Sequence, residues 1–250
     1  MFSYKLIAPL FGALLLSNAA QADLVTGDWI TEGDSKVTID TDTGIEWLKL
    51  NNTSGMSVNQ VIAELGRDGD FEGWRLPTSE EVQALIETVL PTHTWNDAST
   101  TTHYSYKGYG QKSSTDYAKT WIEVLGYTNE TPTPTTANWT IETISYGLHV
   151  EDDGGVAMTG VLWQQDHNRG NDYYTTLLYD DWVNSNYDMD WTNGNRLGVF
   201  LVSDGGVTLS SINDPSININ NPNSPAKVST PFAFGTALLI GMAAIRRRNR

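Results

Sequence analysis

The sequence predicts a single α+β domain with two short helices, an antiparallel sheet of short strands and long loops. Two stretches, residues 57–65 and 79–90, carry apolar side chains at helical spacing. Short apolar segments between residues 139 and 204 are separated by Gly, Asn and Asp, a pattern typical of antiparallel strands. The chain of 250 residues is 39% hydrophobic and contains 9 Trp and 11 Tyr, so it can bury a full core.

The first regular pattern is a predicted β-hairpin at residues 36–50. Apolar and polar side chains alternate on both sides of Thr41-Asp42-Thr43-Gly44, which has the composition of a tight turn.

A short helix is predicted next, at residues 57–65. Ser57 and Gln60 have the spacing of a capping box, in which each side chain accepts the backbone amide of the other residue. Its apolar face consists of Val58, Val61, Ile62 and Leu65.

The second helix is the best-specified element of the sequence. Thr78 and Glu81 form another capping-box pair, so the helix is predicted to begin at Ser79, and Pro91 ends it. Its apolar stripe consists of Val82, Leu85, Ile86 and Val89. Burying such side chains stabilises a fold by roughly 1.5–3 kcal/mol each, whereas a cap contributes about 1 kcal/mol. The cap therefore sets the start of the helix, and packing holds it in place.

The middle of the chain lacks such patterns. Residues 92–137 are polar, and a Thr/Pro-rich run extends over residues 128–138, so long surface loops are predicted there. The predicted strands follow at residues 139–150, 155–164, 175–183 and 197–204.

Both chain ends differ in composition from the body. Residues 1–22 contain one Lys, an apolar run and a small-x-small ending, which is typical of a secretory signal peptide. The globular domain is predicted for residues 23–204, and a flexible spacer rich in Asn, Ser, Pro and Gly for residues 205–227. Residues 228–250 hold a short apolar run followed by arginines, which predicts a membrane anchor whose C-terminal end stays cytoplasmic. We therefore expect export through the inner membrane.

The charge and the cysteine count exclude several kinds of function. The formal net charge is −15, and such an acidic chain repels nucleic acid phosphates, so no nucleic acid partner is predicted. The chain has no cysteine, which excludes disulfides and thiol chemistry.

The C-terminal end resembles the PEP-CTERM sorting signals of Gram-negative bacteria, which combine a short motif, an apolar helix and an Arg-rich end. The Arg-rich end contains Arg246, Arg247 and Arg248. The residues Val228, Ser229, Thr230 and Pro231 stand in the place of the Pro-Glu-Pro motif. The resemblance implies an exosortase-like sorting enzyme as partner, transient membrane anchoring, and delivery to the cell surface or the extracellular matrix. A plain short membrane anchor is the alternative.

The body contains the segments DTGIEWL at residues 42–48, GWRLPTSEE at residues 73–81 and GVFLV at residues 198–202. Together they resemble the signatures of the Lcl C-terminal domain family. The resemblance implies a C-type-lectin-like fold and an extracellular adhesin-like module of a biofilm matrix that binds polysaccharide. The RLPT-x-E part is also similar to the formylglycine-generating enzymes, but their chemistry depends on cysteines that this chain lacks.

A ligand-binding segment is predicted between Trp163 and Asn195, where aromatic residues alternate with carboxylates and amides. Aromatic faces can stack on sugar rings while polar groups bind the hydroxyls. The candidate residues are Trp191, Asp188, Asp190, Asn193, Asn195, Asp166 and Tyr173. Trp191 lies in a loop-like composition, whereas Trp163 and Trp182 lie in apolar runs and are predicted to be core. Alternatively, most of these aromatic residues belong to the core.

No catalytic residue, metal ligand or cofactor is predicted, so a non-enzymatic function is favoured. The alternative is an extracellular carbohydrate-active hydrolase, with Asp166 and Asp188 as the acid and the base. None of the four histidines, His93, His103, His149 and His167, has a neighbour at metal-ligand spacing. Residues 151–153 are predicted to be a solvated acidic turn.

Overall fold

The computed structural model describes residues 24–90, 103–109, 113–131, 139–168 and 171–217. The strands are β1 Leu24–Gly27, β2 Val37–Asp40, β3 Glu46–Leu48, β4 His103–Tyr109, β5 Asn129–Glu130, β6 Trp139–Val150, β7 Val156–Asn168, β8 Asn171–Trp182, β9 Gly198–Val199 and β10 Val202–Ser203. The α-helices are α1 Val58–Ala63, α2 Ser79–Val89, α3 Ser113–Leu125 and α4 Leu209–Asn213, and two 3₁₀ turns lie at Leu50–Asn52 and Pro215–Ile217.

The strands form two sheets, which confirms the α+β class. One has the order β1-β2-β3-β10 and is antiparallel. The other has the order β4-β8-β7-β6-β5, and β9 pairs with β6 in parallel. The antiparallel pairing predicted for residues 197–204 therefore holds for β10 but not for β9. No helix within the described ranges is long and apolar enough to cross a membrane.

Both faces of the larger sheet are covered. The neighbouring residues Val161 and Leu162 of β7 belong to different apolar clusters, because successive side chains of a strand point to opposite faces. Helices α2 and α3 cover the Val161 face together with Phe200. Helix α1, the first hairpin and Trp74 cover the Leu162 face.

The local predictions for residues 36–90 are confirmed. Strands β2 and β3 pair as a hairpin, and the Asp40 carboxylate accepts the amides of Asp42 and Thr43 in its turn. Both capping boxes are present at α1 and α2. All four residues of the α2 stripe are buried. The α1 face is narrower than predicted, because the helix ends at Ala63 and Ile62 is 40% exposed.

The W-R-L-P-T-x-x-E signature builds a structural junction. The Arg75 guanidinium donates to both carboxylate oxygens of Glu81, at 2.8 and 2.7 Å, and to Asp204. Its backbone pairs with Val202 in both directions. The hydrogen bonds from Arg75 hold the pKa of Glu81 below its ordinary value. The signature therefore joins the start of α2 to the end of β10.

The long loop predicted for residues 92–137 is wrong for three parts of that range, β4, α3 and β5, and β5 pairs with β6. Strand β4 pairs with β8, and α3 is a helix of 13 residues. Ala118, Trp121 and Leu125 of α3 are buried at helical spacing, and Trp121 Nε1 donates to Ser145 Oγ at 3.1 Å. The helix also carries seven polar residues, which conceal the helical period in the sequence.

The packed domain also extends beyond Asp204, where the sequence predicts a flexible spacer. The buried Glu46 carboxylate accepts the amides of Gly206 and Val207 and the Thr208 hydroxyl, at 3.2, 3.3 and 2.9 Å. These bonds fix the start of α4, so the ordered chain continues to Ile217. The predicted signal peptide, the rest of the spacer and the sorting signal lie outside the described residues.

Candidate functional site

The predicted binding segment contains the outer end of a row of aromatic rings. The ring centroids of Trp191 and Tyr187 lie 4.3 Å apart, and those of Tyr187 and Trp182 5.8 Å apart. The row continues from Trp182 through Tyr179 to Tyr146, at 4.9 and 5.2 Å. Tyr146 is buried, whereas the other four are partly buried. The row therefore runs from the core towards Trp191, and Trp182, predicted to be core, is a half-buried member of it.

Tyr187 links Trp191 to the larger sheet. Its hydroxyl donates to the Met158 sulfur at 3.7 Å. Burial, and then the neighbouring Tyr179, raise the pKa of Tyr187 to about 12. The phenol therefore remains neutral and can donate a hydrogen bond at physiological pH.

Exposed polar side chains surround Trp191, as the sequence predicts. They are Asp188, Asp190, Asn193 and Asn195. Two of these residues also anchor the segment, because Asp190 accepts the Asn59 amide of α1 at 2.8 Å and the Asn195 carbonyl accepts the Ser54 hydroxyl at 2.9 Å. The segment is thus held against α1 while its carboxylates and amides reach solvent.

Asp166 and Tyr173 do not join this group. They are directly opposite each other near the tip of the β7–β8 hairpin, where Asp166 accepts the Thr140 hydroxyl at 2.6 Å. Met158, which touches Tyr187, lies eight residues away along β7. At about 3.3 Å per strand residue this is roughly 26 Å. The structure therefore does not place these two residues beside Trp191.

A second cluster, absent from the sequence predictions, consists of His149, Glu151 and Asp181. His149 is fully buried, and the side chains of Glu151 and Asp181 are each 26% exposed. His149 Nδ1 lies 3.2 Å from Glu151 Oε1, and His149 Nε2 lies 3.2 Å from Asp181 Oδ1. One candidate ligand atom from each residue lies within 4.8 Å of the other two.

The sheet and one helix position this cluster. His149 is the penultimate residue of β6, and Glu151 follows two positions later on the same face. Asp181 lies in a β-bulge of β8 with φ 47°, at the register shift between Met158 and Gly160. Bulges re-aim side chains in this way.

Hydroxyl groups contact all three residues. Thr159 Oγ1 lies 3.2 Å from His149 Nε2 and accepts the Asp181 amide at 3.1 Å. Ser79, the first residue of α2, donates to Glu151 Oε2 at 3.1 Å. The pKa of Glu151 is raised, chiefly by burial, while His149 acts in the opposite direction. The cluster thus lies between the β6–β7 turn and the start of the best-specified helix.

The sequence carried only a weak signal for this cluster. His149 and Glu151 form a His-x-Glu pair at the end of an alternating strand, where both side chains point to one face. This pair does not have the helical His-x-x-x-His spacing, so a test for that spacing does not detect it. Glu151 is half-buried and its carboxylate is engaged with Ser79, so the solvated-turn prediction is wrong for this residue.

Comparisons with protein-family models, with curated proteins and with solved structures find no match to this chain. The two resemblances described above therefore rest on the quoted residues. The geometry of the aromatic row and of the His149 cluster carries the functional argument.

Proposed function

We propose that this chain is an exported, surface-sorted and non-enzymatic module with a C-type-lectin-like fold, which binds polysaccharide in adhesion or in an extracellular matrix. The observation that carries the proposal is the half-buried Trp191 at the end of an aromatic row, with exposed carboxylates and amides beside it. The binding residues of the proposal are Trp191, Asp188, Asp190, Asn193 and Asn195.

The chemistry of this surface suits a neutral sugar. A partly exposed indole offers a flat apolar face, and neighbouring carboxylates and amides accept and donate hydrogen bonds to hydroxyls. Stacking with Tyr187 and the Asp190–Asn59 hydrogen bond hold the segment before any ligand arrives. Such pre-organisation reduces the entropic cost of binding.

Residues of the Lcl-like signature form a junction in which the Arg75 guanidinium binds the carboxylates of Glu81 and Asp204. Three residues of the quoted signature, Arg75, Thr78 and Glu81, take part in one hydrogen-bonded junction rather than in a site. A signature of this kind reports the fold, so the function of the module has to come from its surface segments.

The alternative hydrolase gains no support from its predicted carboxylate pair. Glycoside hydrolysis needs two carboxyl groups about 5–9.5 Å apart. Asp188 is adjacent to Tyr187, which touches Met158, whereas Asp166 lies eight residues further along β7. Met158 and Asp166 are thus roughly 26 Å apart along the strand, and no contact of the described residues brings the Asp166 and Asp188 carboxylates together.

Replacement of Trp191 by Ala is expected to weaken polysaccharide binding at least tenfold, because the stacking face is removed. Binding of the purified chain is measured on a polysaccharide array, and the affinity for the strongest hit is then measured by calorimetry. Since Trp191 is half-buried, the substitution also costs stability, so the folded fraction of each variant is measured by circular dichroism.

The matched control is Trp29→Ala. Trp29 is also partly buried and stacks on Phe71 at 6.0 Å, but it lies outside the proposed site. The proposal requires that Trp29→Ala retain binding while Trp191→Ala loses it. Equal affinities per folded molecule in the two variants would show that Trp191 is only a packing residue, and released sugars would favour the hydrolase.

The proposed sorting of the chain is tested at its C-terminal end. If residues 228–250 are a processed signal, mass spectrometry of the surface-associated protein should find a mature form without Arg246, Arg247 and Arg248. Lysine replacement of these three residues is expected to reduce that processing. Recovery of intact chain ending at Arg250 as the main form contradicts processing and leaves a plain anchor as the explanation.

A further inference from the structure

We propose that His149, Glu151 and Asp181 bind one divalent transition-metal cation of the Zn²⁺ type. The three residues come from β6, from the turn that follows it and from β8, and these two strands flank β7 in the sheet. One ring nitrogen and two carboxylate oxygens supply the ligands. This site is separate from the proposed polysaccharide surface and does not depend on it.

The first argument is the convergence of the candidate ligand atoms. His149 Nδ1 lies 3.2 Å from Glu151 Oε1, and His149 Nε2 lies 3.2 Å from Asp181 Oδ1. One candidate ligand atom from each residue lies within 4.8 Å of the other two. An imidazole with carboxylates is a donor set that zinc sites use.

The second argument is that two of these atoms have no hydrogen-bond partner among the described residues. His149 Nδ1 and Glu151 Oε1 are buried, and neither makes a hydrogen bond with any described residue, although they lie 3.2 Å apart. A shared proton would require hydrogen-bond geometry between them. Two ligands of one ion need no such alignment, and zinc bonds of about 2.0–2.2 Å place neighbouring ligand atoms about 3–3.5 Å apart.

The third argument is the support around the ligands. With Nδ1 as the ligand, Nε2 donates to the Thr159 hydroxyl at 3.2 Å, and this contact fixes the ring orientation. Ser79 holds the second oxygen of Glu151, which leaves Oε1 directed at the imidazole. Asp181 Oδ1 lies beside Nε2, so this partly exposed carboxylate has to rotate towards Nδ1 to complete the ligand set and close the 4.8 Å separation.

The donor set indicates the class of cation. Ca²⁺ and Mg²⁺ prefer sites made wholly of oxygen atoms. Imidazole with carboxylates suits Zn²⁺ and similar borderline ions, and the chain has no cysteine that could select softer metals. We therefore expect Zn²⁺ to bind and Ca²⁺ not to compete.

The test is calorimetric titration of the purified, EDTA-treated full chain with ZnCl₂ at pH 7. We expect one equivalent to bind with micromolar or lower Kd, without competition from equimolar Ca²⁺ or Mg²⁺. Cobalt is the spectroscopic probe, because four- or five-coordinate Co²⁺ absorbs visible light much more strongly than the hydrated ion does.

The isosteric variants Glu151→Gln and Asp181→Asn should each weaken Zn²⁺ binding at least tenfold, because each removes one anionic ligand. Asp152→Asn is the matched control, since Asp152 is an exposed acid next to the site. Unchanged affinity in both site variants, or no binding at micromolar Zn²⁺, overturns the proposal.

Discussion

Replacement of Trp121 by Ala lowers the free energy of unfolding by about 3–5 kcal/mol, the range for an emptied aromatic core position. Trp121 is fully buried in α3, and its ring packs edge-on against Phe200 at 6.4 Å. The substitution also removes the donor to the Ser145 hydroxyl, which lies in the buried part of β6. Urea denaturation followed by far-UV circular dichroism measures the loss.

The control for this experiment lies two residues after α3. Tyr127 is 48% exposed, so Tyr127→Ala should change the free energy of unfolding by about 0.5 kcal/mol or less. A loss below about 1 kcal/mol for Trp121→Ala would mean that α3 does not pack against the sheet in solution.

Replacement of Gly160 by Ala is also expected to destabilise the fold strongly. A Cβ atom at this position would lie 2.1 Å from the Ser145 carbonyl oxygen and 2.9 Å from the Tyr146 Cα, both of them backbone atoms. Such overpacking costs about 1–3 kcal/mol. The backbone has φ 151°, which L residues rarely adopt, and this adds about 1–3 kcal/mol. Thermal unfolding and urea titration measure the sum.

Two other glycines separate the contributions of clash and backbone strain. Gly154 has φ 84° with open space around it, so Gly154→Ala measures strain alone. Gly66 has open space and no unusual φ, so Gly66→Ala should be close to neutral. If Gly160→Ala is no more destabilising than Gly154→Ala, the strands β6 and β7 have room to move apart. Gly160 follows Thr159 in the register shift opposite Asp181. A movement of β6 away from β7 would therefore also loosen the His149 cluster.

Much of the first half of the fold is predictable because its determinants are local. The Thr78–Glu81 and Ser57–Gln60 capping boxes connect residues only three positions apart. The turn at Asp40 is closed by its own carboxylate, and the α2 stripe repeats within one helix. Interactions of this kind form in nearly any tertiary context.

Predictions failed where a pattern was diluted or where a distant partner decided the outcome. Residues 113–125 include seven polar side chains, and this polar majority favoured a loop although Ala118, Trp121 and Leu125 are buried at helical spacing. Residues 205–217 have the composition of a spacer, but the Glu46 carboxylate, about 160 positions earlier, fixes their start. Composition carries no information about such a partner.

The two candidate sites also differ in how far the sequence alone could predict them. Composition alone was enough to place Trp191 with exposed carboxylates and amides, because all of them lie in one segment of the chain. Strand register decided that Asp166 and Tyr173 lie elsewhere, since a long hairpin carries them roughly 26 Å along β7 from the residue that Tyr187 touches.

Only the tertiary structure brought together His149, Glu151, Asp181 and Ser79. Asp181 is 30 residues from Glu151 and is aimed by a bulge, and Ser79 is 72 residues from Glu151 on another element. Pairing across strands sets these distances, and a single sequence does not encode the register of that pairing locally.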